Sequence, residues 1–318
     1  MPFLTENRSK ISQKYQQPEL LADIDTFITG SGKLSKVLNH FFEEAMFVCS
    51  GPRGTMSPMQ ALSDDTTIRR ILDFTQTKPK VFTGDSIRQL KTFFRIAGKT
   101  AQKVANFPVR EAAAIIEAYC PAGGRIYDPS AGFGSRMSAA VLTGRYYCAT
   151  EPNSVTYQSL EAYAGFLDEN FLCHIRPRIY NSGSEIAIPE LVDTVDMCFT
   201  SPPYFNLETY GMEASQSTVR YPNYEDWLEN FVRPTVVNCR DYLVSGGILA
   251  INIKNLTAHG KRPLFDDWYS IVVNTCGLLP VETISMKQLS RKQFMGKHHS
   301  GVATDYGNVE PVMIFLRD

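Results

Sequence analysis

The feature that most constrains the fold is a regular alternation of short apolar segments and helical segments after about residue 105. Candidate strands cover 125–127, 146–150, 175–180, 195–200, 248–253, 281–286 and 312–316, and candidate helices between them cover 135–142, 154–168, 224–243 and 264–275. Such alternation favours a mainly parallel sheet with helices on both faces. We therefore predict an α/β domain over residues 101–318, with its ligand site beyond the carboxyl ends of the strands.

The first 100 residues have a different character. Apolar residues recur at helical spacing over 34–45 and 68–74, so this region is predicted to be mostly helical. It carries 14 Lys and Arg against 10 Asp and Glu, whereas the rest of the chain carries 18 against 23. A mildly basic surplus suits contact with nucleic acid, and it equally fits an ordinary solvated surface. The region 1–100 is thus a candidate recognition element, and both interpretations stay open.

Composition excludes several classes of protein. Apolar residues make up 43% of the chain and charged residues 20%, which allows a packed core and excludes wholesale disorder. The sequence has no apolar run of about 18 residues and no apolar segment near its start, so we expect neither a membrane span nor a secretory signal. The seven cysteines stand singly. We therefore expect a cytoplasmic protein with no disulfide framework and no metal, in which His298-His299 is a surface pair.

The segment Asp128-Pro-Ser-Ala-Gly-Phe-Gly134 follows the first candidate strand and opens a helix. Its two glycines let the backbone turn sharply and approach a ligand closely, and the helix start offers free N–H groups. It lacks the Gly-Lys-Ser/Thr of a Walker loop, and an acid at the strand end suits a ligand with positive charge. Glu151 ends the next strand 23 residues later, near the spacing at which an acid holds the ribose hydroxyls of an adenosine. The alternative is a tight strand-to-helix turn with a capping Asp.

A second segment, Thr200-Ser-Pro-Pro-Tyr204, follows the fourth candidate strand. Its consecutive prolines hold the backbone extended and force Ser201 out of the helical region. A planar base with an exocyclic amine fits this turn: its N–H groups would donate to the Ser201 hydroxyl and the Pro202 carbonyl while Tyr204 stacks on the ring. Two acceptors would localise the nitrogen lone pair, which is positioning and electrostatic catalysis. The alternative is a rigid loop around a core tyrosine.

The two segments in this order, with Glu151 between them, resemble the S-adenosylmethionine-dependent amino-methyltransferases of DNA, which modify cytosine N4 or adenine N6. The resemblance covers roughly residues 105–318. It implies a Rossmann-like seven-stranded methyltransferase sheet, mostly parallel with an antiparallel last strand. It also implies S-adenosyl-L-methionine as cofactor, DNA as substrate and a target base that leaves the stack. Asn106-Phe-Pro108 is similar to the segment that closes over the methionine end of the cofactor, and 181–185 falls where the family contacts the adenine ring.

Carried over residue by residue, the resemblance implies that the flipped base is held by Ser201, Pro202, Pro203 and Tyr204. The implied cofactor-binding residues are Phe107, Asp128, Ser130, Gly132, Gly134, Glu151 and Ser184. Ser130 stands where the family commonly has Phe, and Phe133 lies between the glycines, so packing against the methionine portion is expected to differ. Ser201 replaces the more frequent Asp or Asn, which favours cytosine N4 over adenine N6.

Target recognition has two candidate locations. The stretch 204–224 is too short for the recognition domain that such enzymes usually carry, which leaves 1–100 and the loop 286–307. The candidate phosphate contacts in this loop are Lys287, Arg291, Lys292 and Lys297, with a solvated basic loop as the alternative. Two other functions stay open: an RNA or protein amide methyltransferase, and a catalytically silent subunit that binds DNA. We expect no membrane partner, and a homodimer is compatible with the sequence.

Overall fold

The computed structural model describes residues 31–51, 55–77, 104, 106–170, 176–211, 213–256, 262–285 and 310–318. The helices that precede the sheet are α1 (Ser31–Val48), α2 (Pro58–Ala61), α3 (Asp65–Thr77) and α4 (Val109–Tyr119). The strands are β1 (Arg125–Asp128), β2 (Tyr146–Thr150), β3 (Arg178–Tyr180), β4 (Val195–Thr200), β5 (Leu243–Asn252), β6 (Leu279–Ser285) and β7 (Pro311–Leu316). The helices among them are α5 (Ser135–Leu142), α6 (Ser154–Asn170), α7 (Ser217–Arg220), α8 (Tyr224–Trp227), α9 (Arg233–Tyr242) and α10 (Leu264–Ser270).

The seven strands form one sheet in the order β3-β2-β1-β4-β5-β7-β6. The neighbouring pairs from β3 to β5 are all parallel. Strand β7 runs antiparallel between β5 and β6. The predicted Rossmann-like sheet, mostly parallel with an antiparallel last strand, is confirmed. Because the strand order reverses between β1 and β4, the crevice outside their carboxyl ends is where a sheet of this kind binds its ligand.

Helices cover both faces of the sheet, which explains the continuous apolar strands. Successive side chains of a strand point to opposite faces. Met197 and Phe199 of β4 therefore enter the core formed with α1, α4, α5 and α6. Cys198 enters the core formed with α8, α9 and α10. None of the helices in the described ranges is both long and apolar enough to cross a bilayer.

Helix α1 belongs to the first of these cores, although it lies in the basic N-terminal third. Val37, Leu38 and Phe42 are buried in it. The ring of Phe42 meets the ring of Tyr163 on α6 edge-on, with centroids 5.7 Å apart. Helix α1 is therefore packed onto the sheet domain, and the role of region 1–100 in recognition stays a prediction.

Several predicted elements differ from the observed ones. The helix predicted over 264–275 is α10 followed by a π-helical segment (Ile271–Thr275), and the strand predicted over 175–180 begins at Arg178. The helix predicted over 224–243 contains α8, a π-helical segment (Leu228–Val232) and α9. Pro234 at the start of α9 has no N–H, so the preceding turn cannot keep the α pattern and widens. Strand β5 begins at Leu243 instead of residue 248. Gly246, with φ at 79°, and Gly247 interrupt the apolar pattern that marks a strand in sequence.

Candidate active site

A cavity of about 300 Å³ opens at the carboxyl edge of the sheet, among the loops that follow β1 to β5. Most of the residues predicted from the two motifs meet in its wall: Phe107, Ser130, Gly132, Glu151, Ser184, Ser201, Pro202, Pro203 and Tyr204. Asp128 and Gly134 lie in the loop after β1 but do not line the cavity. The motifs share one cavity because β1 and β4 are parallel neighbours whose carboxyl ends point the same way.

Asp128 is fully buried in the loop that forms part of the cavity wall. Its carboxylate accepts hydrogen bonds from Arg136 Nε at 2.7 Å and from Arg136 Nη2 at 3.2 Å. It also accepts from the Tyr147 hydroxyl at 2.8 Å and from the Ser130 backbone N–H at 3.0 Å. The charge of Asp128 is matched by Arg136, and its contacts organise the loop; its role toward a cofactor stays a prediction.

Gly134 packs against helix α1 instead of lining the cavity. It is the residue that precedes α5 and has φ at 74°. A Cβ at this position would lie 2.9 Å from ring carbons of Phe42 and 3.0 Å from the ring of Tyr163. Glycine is needed at 134 for this close packing, and the role of Gly134 as a cofactor contact stays a prediction. Gly132 does line the cavity, with φ at 56° and no crowded atoms around its Cα.

Glu151 follows β2 and is only 8% exposed. Its carboxylate accepts the backbone N–H of Asn153 at 2.9 Å and the backbone N–H of Gly132. Burial raises the pKa of Glu151 to about 7, against the opposing effect of these hydrogen bonds. The cavity therefore holds a carboxylate that ionises near neutral pH and is tied to the loop at Gly132.

The Ser201 hydroxyl has a defined orientation because of Asn252, the last residue of β5. Asn252 is 1% exposed, and its Nδ2 donates to the carbonyl of Pro311 at 2.9 Å. This contact assigns its Oδ1 to Ser201, whose Oγ donates to it at 3.2 Å. With its proton committed to Asn252, Ser201 keeps its lone pairs for a donor in the cavity.

Tyr204 lines the cavity and packs its ring against the second core. Burial raises the pKa of its hydroxyl, and the charges of Glu310 and Glu208 act in the same direction. Burial also raises the pKa of Glu208, whose carboxylate accepts a hydrogen bond from the Tyr210 hydroxyl. Tyr204 is therefore a neutral aromatic surface, with acidic groups close to it.

Ser184 and Glu185 follow β3 and line another part of the cavity. The Ser184 hydroxyl shares a hydrogen bond of 2.8 Å with Thr235 Oγ1, so it is already engaged. Glu185 forms an ion pair with Arg220, and burial raises the pKa of its carboxyl. Its Oε2 is buried without a hydrogen-bond partner in the described ranges. This oxygen is therefore an acceptor that the described residues leave unused.

The cavity residues that sequence reasoning missed include Arg136, Asn252 and Gln216. Arg136 lies in the helix 135–142, which otherwise consists of small and apolar residues. An arginine in such a helix indicates that its charge is paired inside the protein. Asn252 ends an apolar strand, the position at which polar site residues of such sheets occur. Gln216 lies in a polar loop and has no comparable sequence signal. Its Nε2 is buried and has no hydrogen-bond partner among the described residues.

The predicted phosphate contacts Lys287, Arg291, Lys292 and Lys297, and the pair His298-His299, lie outside the described residues. The described residues that flank them are Ser285, which ends β6, and Glu310, which lines the cavity.

The fold and the site together define an α/β protein with a Rossmann-like methyltransferase sheet and a ligand cavity where its strand order reverses. No protein-family model matches the chain, and no curated protein matches it. A TehB-like SAM-dependent methyltransferase from Corynebacterium glutamicum is similar in structure at 16% identity and a TM-score of 0.44, with 67% of this chain and 90% of that chain covered.

Two further solved structures are similar to the same extent. A methyltransferase from Pyrococcus furiosus shares 15% identity over 66% of this chain and 83% of that chain, with a TM-score of 0.42. The [4+2]-cyclase SpnF shares 12% identity over 66% of this chain and 81% of that chain, with a TM-score of 0.44. Similarity at this level concerns the fold and says nothing about the substrate.

Proposed function

We propose that the protein transfers a methyl group from S-adenosylmethionine to the exocyclic amine of a base flipped out of DNA, with cytosine N4 favoured over adenine N6. The observation that carries the proposal is the shared cavity. Gly132 and Glu151, expected to hold the cofactor, line it together with Ser201, Pro202 and Tyr204, expected to hold the amine. A methyl transfer needs this arrangement because the reacting atoms have to approach within about 3.5 Å.

The side chains of the cavity fit an adenosine-containing ligand with positive charge. The Glu151 carboxylate follows β2 and can accept ribose hydroxyls. Glu185 and Gln216 also line the cavity, with a carboxylate and an amide that suit a polar ring. Phe107 and Phe133 supply apolar surface. When bound, the cofactor supplies a methyl group on a positively charged sulfur.

The residues around Ser201 orient its hydroxyl so that the oxygen can accept a hydrogen bond from the amine. Because Asn252 holds the Ser201 proton, the Ser201 Oγ lone pairs accept one amine N–H. The Pro202 carbonyl accepts the other, and Tyr204 offers its ring to the base. These contacts localise the nitrogen lone pair. The nitrogen–methyl bond forms as the sulfur–methyl bond breaks, its electron pair stays on sulfur, and the surplus proton leaves the nitrogen to water.

DNA is the substrate class that the surroundings of the cavity favour. Pro203 and Tyr204 lie in the cavity wall, so a base must leave the stack to reach them. The sequence 286–307, with Lys287, Arg291, Lys292 and Lys297, suits a polyanionic substrate.

The test is incubation of the purified protein with methyl-labelled cofactor and, separately, DNA, RNA and a protein mixture. We expect label in DNA. Label only in RNA or only in protein would show that DNA is not the substrate. Calorimetry with S-adenosylhomocysteine separates the silent alternative, because a subunit that only binds DNA would give no heat of binding.

A further inference from the structure

Arg136 places a buried cation in the wall of the cavity, and the proposed reaction does not use it. The residue lies in the first turn of α5, is 5% exposed and lines the cavity. A buried arginine is costly unless its charge is matched. Here the bidentate contact with Asp128 matches it, at 2.7 and 3.2 Å.

The guanidinium plane is fixed on several sides. Nε and Nη2 donate to Asp128, and Nη2 also donates to the carbonyl of Ser130. The central carbon lies 5.5 Å from the ring centroid of Phe107 and 6.0 Å from that of Phe199. In the part of the chain that the structure describes, Nη1 has no hydrogen-bond partner, and it is not sealed from the cavity. Nη1 is thus the nitrogen left to contact a ligand.

We propose that Nη1 of Arg136 binds the α-carboxylate of the amino-acid moiety of S-adenosylmethionine, an inference that rests on the proposed function. A guanidinium prefers carboxylate or phosphate. A phosphate of DNA lies on the outside of the substrate and does not reach a residue buried to this degree. The proposed cofactor carries a single carboxylate.

The charges of the cavity support this assignment. Burial opposes the charge on Arg136, but Asp128 outweighs it and raises the pKa of the guanidinium, so the cation persists. The segment after β1 therefore presents the guanidinium of Arg136 to the cavity, although the charged residue that stands out in its sequence is Asp128. Glu151 and Glu208 line other parts of the cavity, so the acids and the cation lie in different parts of its wall.

The first experiment uses the unaltered protein and two ligands. Calorimetry compares S-adenosylhomocysteine with its decarboxylated analogue, which differs only by the carboxylate. We expect the decarboxylated analogue to bind about 10–100-fold more weakly, as suits one charge-assisted contact in a buried site. A ratio near one would overturn the inference.

The second experiment repeats both titrations on variants. In D128N/R136M, which removes both charges together, we expect the ratio to fall to about threefold or less. R136K keeps the ion pair with Asp128 but lacks the third nitrogen, so it should lower the ratio as well and serves if the double variant does not fold. R145M is the matched control: Arg145 donates to the Cys120 carbonyl at 2.8 Å and does not line the cavity.

The outcomes separate this inference from the proposed function. If the unaltered ratio is high but persists in the folded Arg136 variants, another residue binds the carboxylate and the inference is wrong. If the unaltered protein binds neither ligand, the proposed cofactor is wrong and the inference fails with it. Loss of the ratio in R145M would show that the effect is not local to Arg136.

Discussion

At the scale of single residues, the buried carboxyl of Glu151 is placed to bind a ligand, but its ionisation lowers the stability of the folded protein. Its raised pKa of about 7 means that the folded protein binds a proton that the unfolded chain has lost. Its contribution to stability is complete below its unfolded pKa and is lost as the pH rises through about 7.

We therefore expect E151Q to be more stable than the unaltered protein at about pH 8, by on the order of 2 kcal/mol, and equally stable near pH 5. Urea unfolding of the ligand-free proteins at the two pH values measures this difference. The same variant should bind S-adenosylhomocysteine more weakly. An E151Q protein that is less stable at both pH values would show that Glu151 is a structural residue.

Ser201 and Asn252 form a pair whose effects should not add. S201A is expected to lower kcat by about 10–100-fold with the cofactor Kd unchanged, because it removes one acceptor of the amine. N252L should lower kcat in the Ser201 protein, but S201A/N252L should be no slower than S201A, since Asn252 acts through the Ser201 proton. A double variant whose loss equals the product of the single losses would refute this coupling.

Sequence reasoning located the cavity residues better than it assigned their contacts. Gly132, Glu151 and Ser201 are marked in sequence because each follows a strand in a loop with glycine or proline. The ion pair between Asp128 and Arg136 is not visible in the sequence. The two residues are eight positions apart, and they meet only when α5 forms. The sequence shows the acid at the strand end but not its internal partner Arg136.

At the scale of elements, the two glycines of the first loop serve different purposes. G134A should lower the free energy of unfolding by about 2–4 kcal/mol, because its Cβ would overlap Phe42 and its φ is positive. G132A meets no crowded atoms and should lower it by only about 1 kcal/mol. Thermal unfolding of both variants tests this order, and equal losses would contradict it.

For cofactor affinity we expect the opposite order: substitution of Gly132 should matter more than substitution of Gly134. Gly132 lines the cavity and its N–H contacts Glu151, so a larger side chain there should weaken S-adenosylhomocysteine binding first. The folded fraction of G134A should bind with the unaltered Kd.

All seven strands were predictable because each carries a short apolar run. Strands β1, β2 and β4 are buried almost throughout, whereas the edge strands β3 and β6 are partly exposed. The packing of α1 onto the sheet was not predictable, because an amphipathic helix shows one apolar face and not the element that covers it. The contact that brings Ser50 into antiparallel pairing with Thr209 is equally invisible in sequence, since it joins segments 159 residues apart.

At the scale of the whole molecule, the basic segment between β6 and β7 should determine affinity for DNA. Replacing Lys287, Arg291, Lys292 and Lys297 by Gln should weaken DNA binding and make the slope of log K against log salt shallower by about 3–4. The Kd for S-adenosylhomocysteine should not change. Fluorescence anisotropy over a salt series measures the slope, and an unchanged slope would assign recognition elsewhere, with region 1–100 as the next candidate.

The most direct test of the central claim is nucleoside mass analysis of unmodified DNA after incubation with the protein and S-adenosylmethionine. We predict a new methylated nucleoside, N4-methylcytosine in preference to N6-methyladenine, formed by the unaltered protein and nearly lost in Y204A, which should still bind S-adenosylhomocysteine. DNA that contains no methylated amine after incubation with a protein that binds the cofactor would contradict the account.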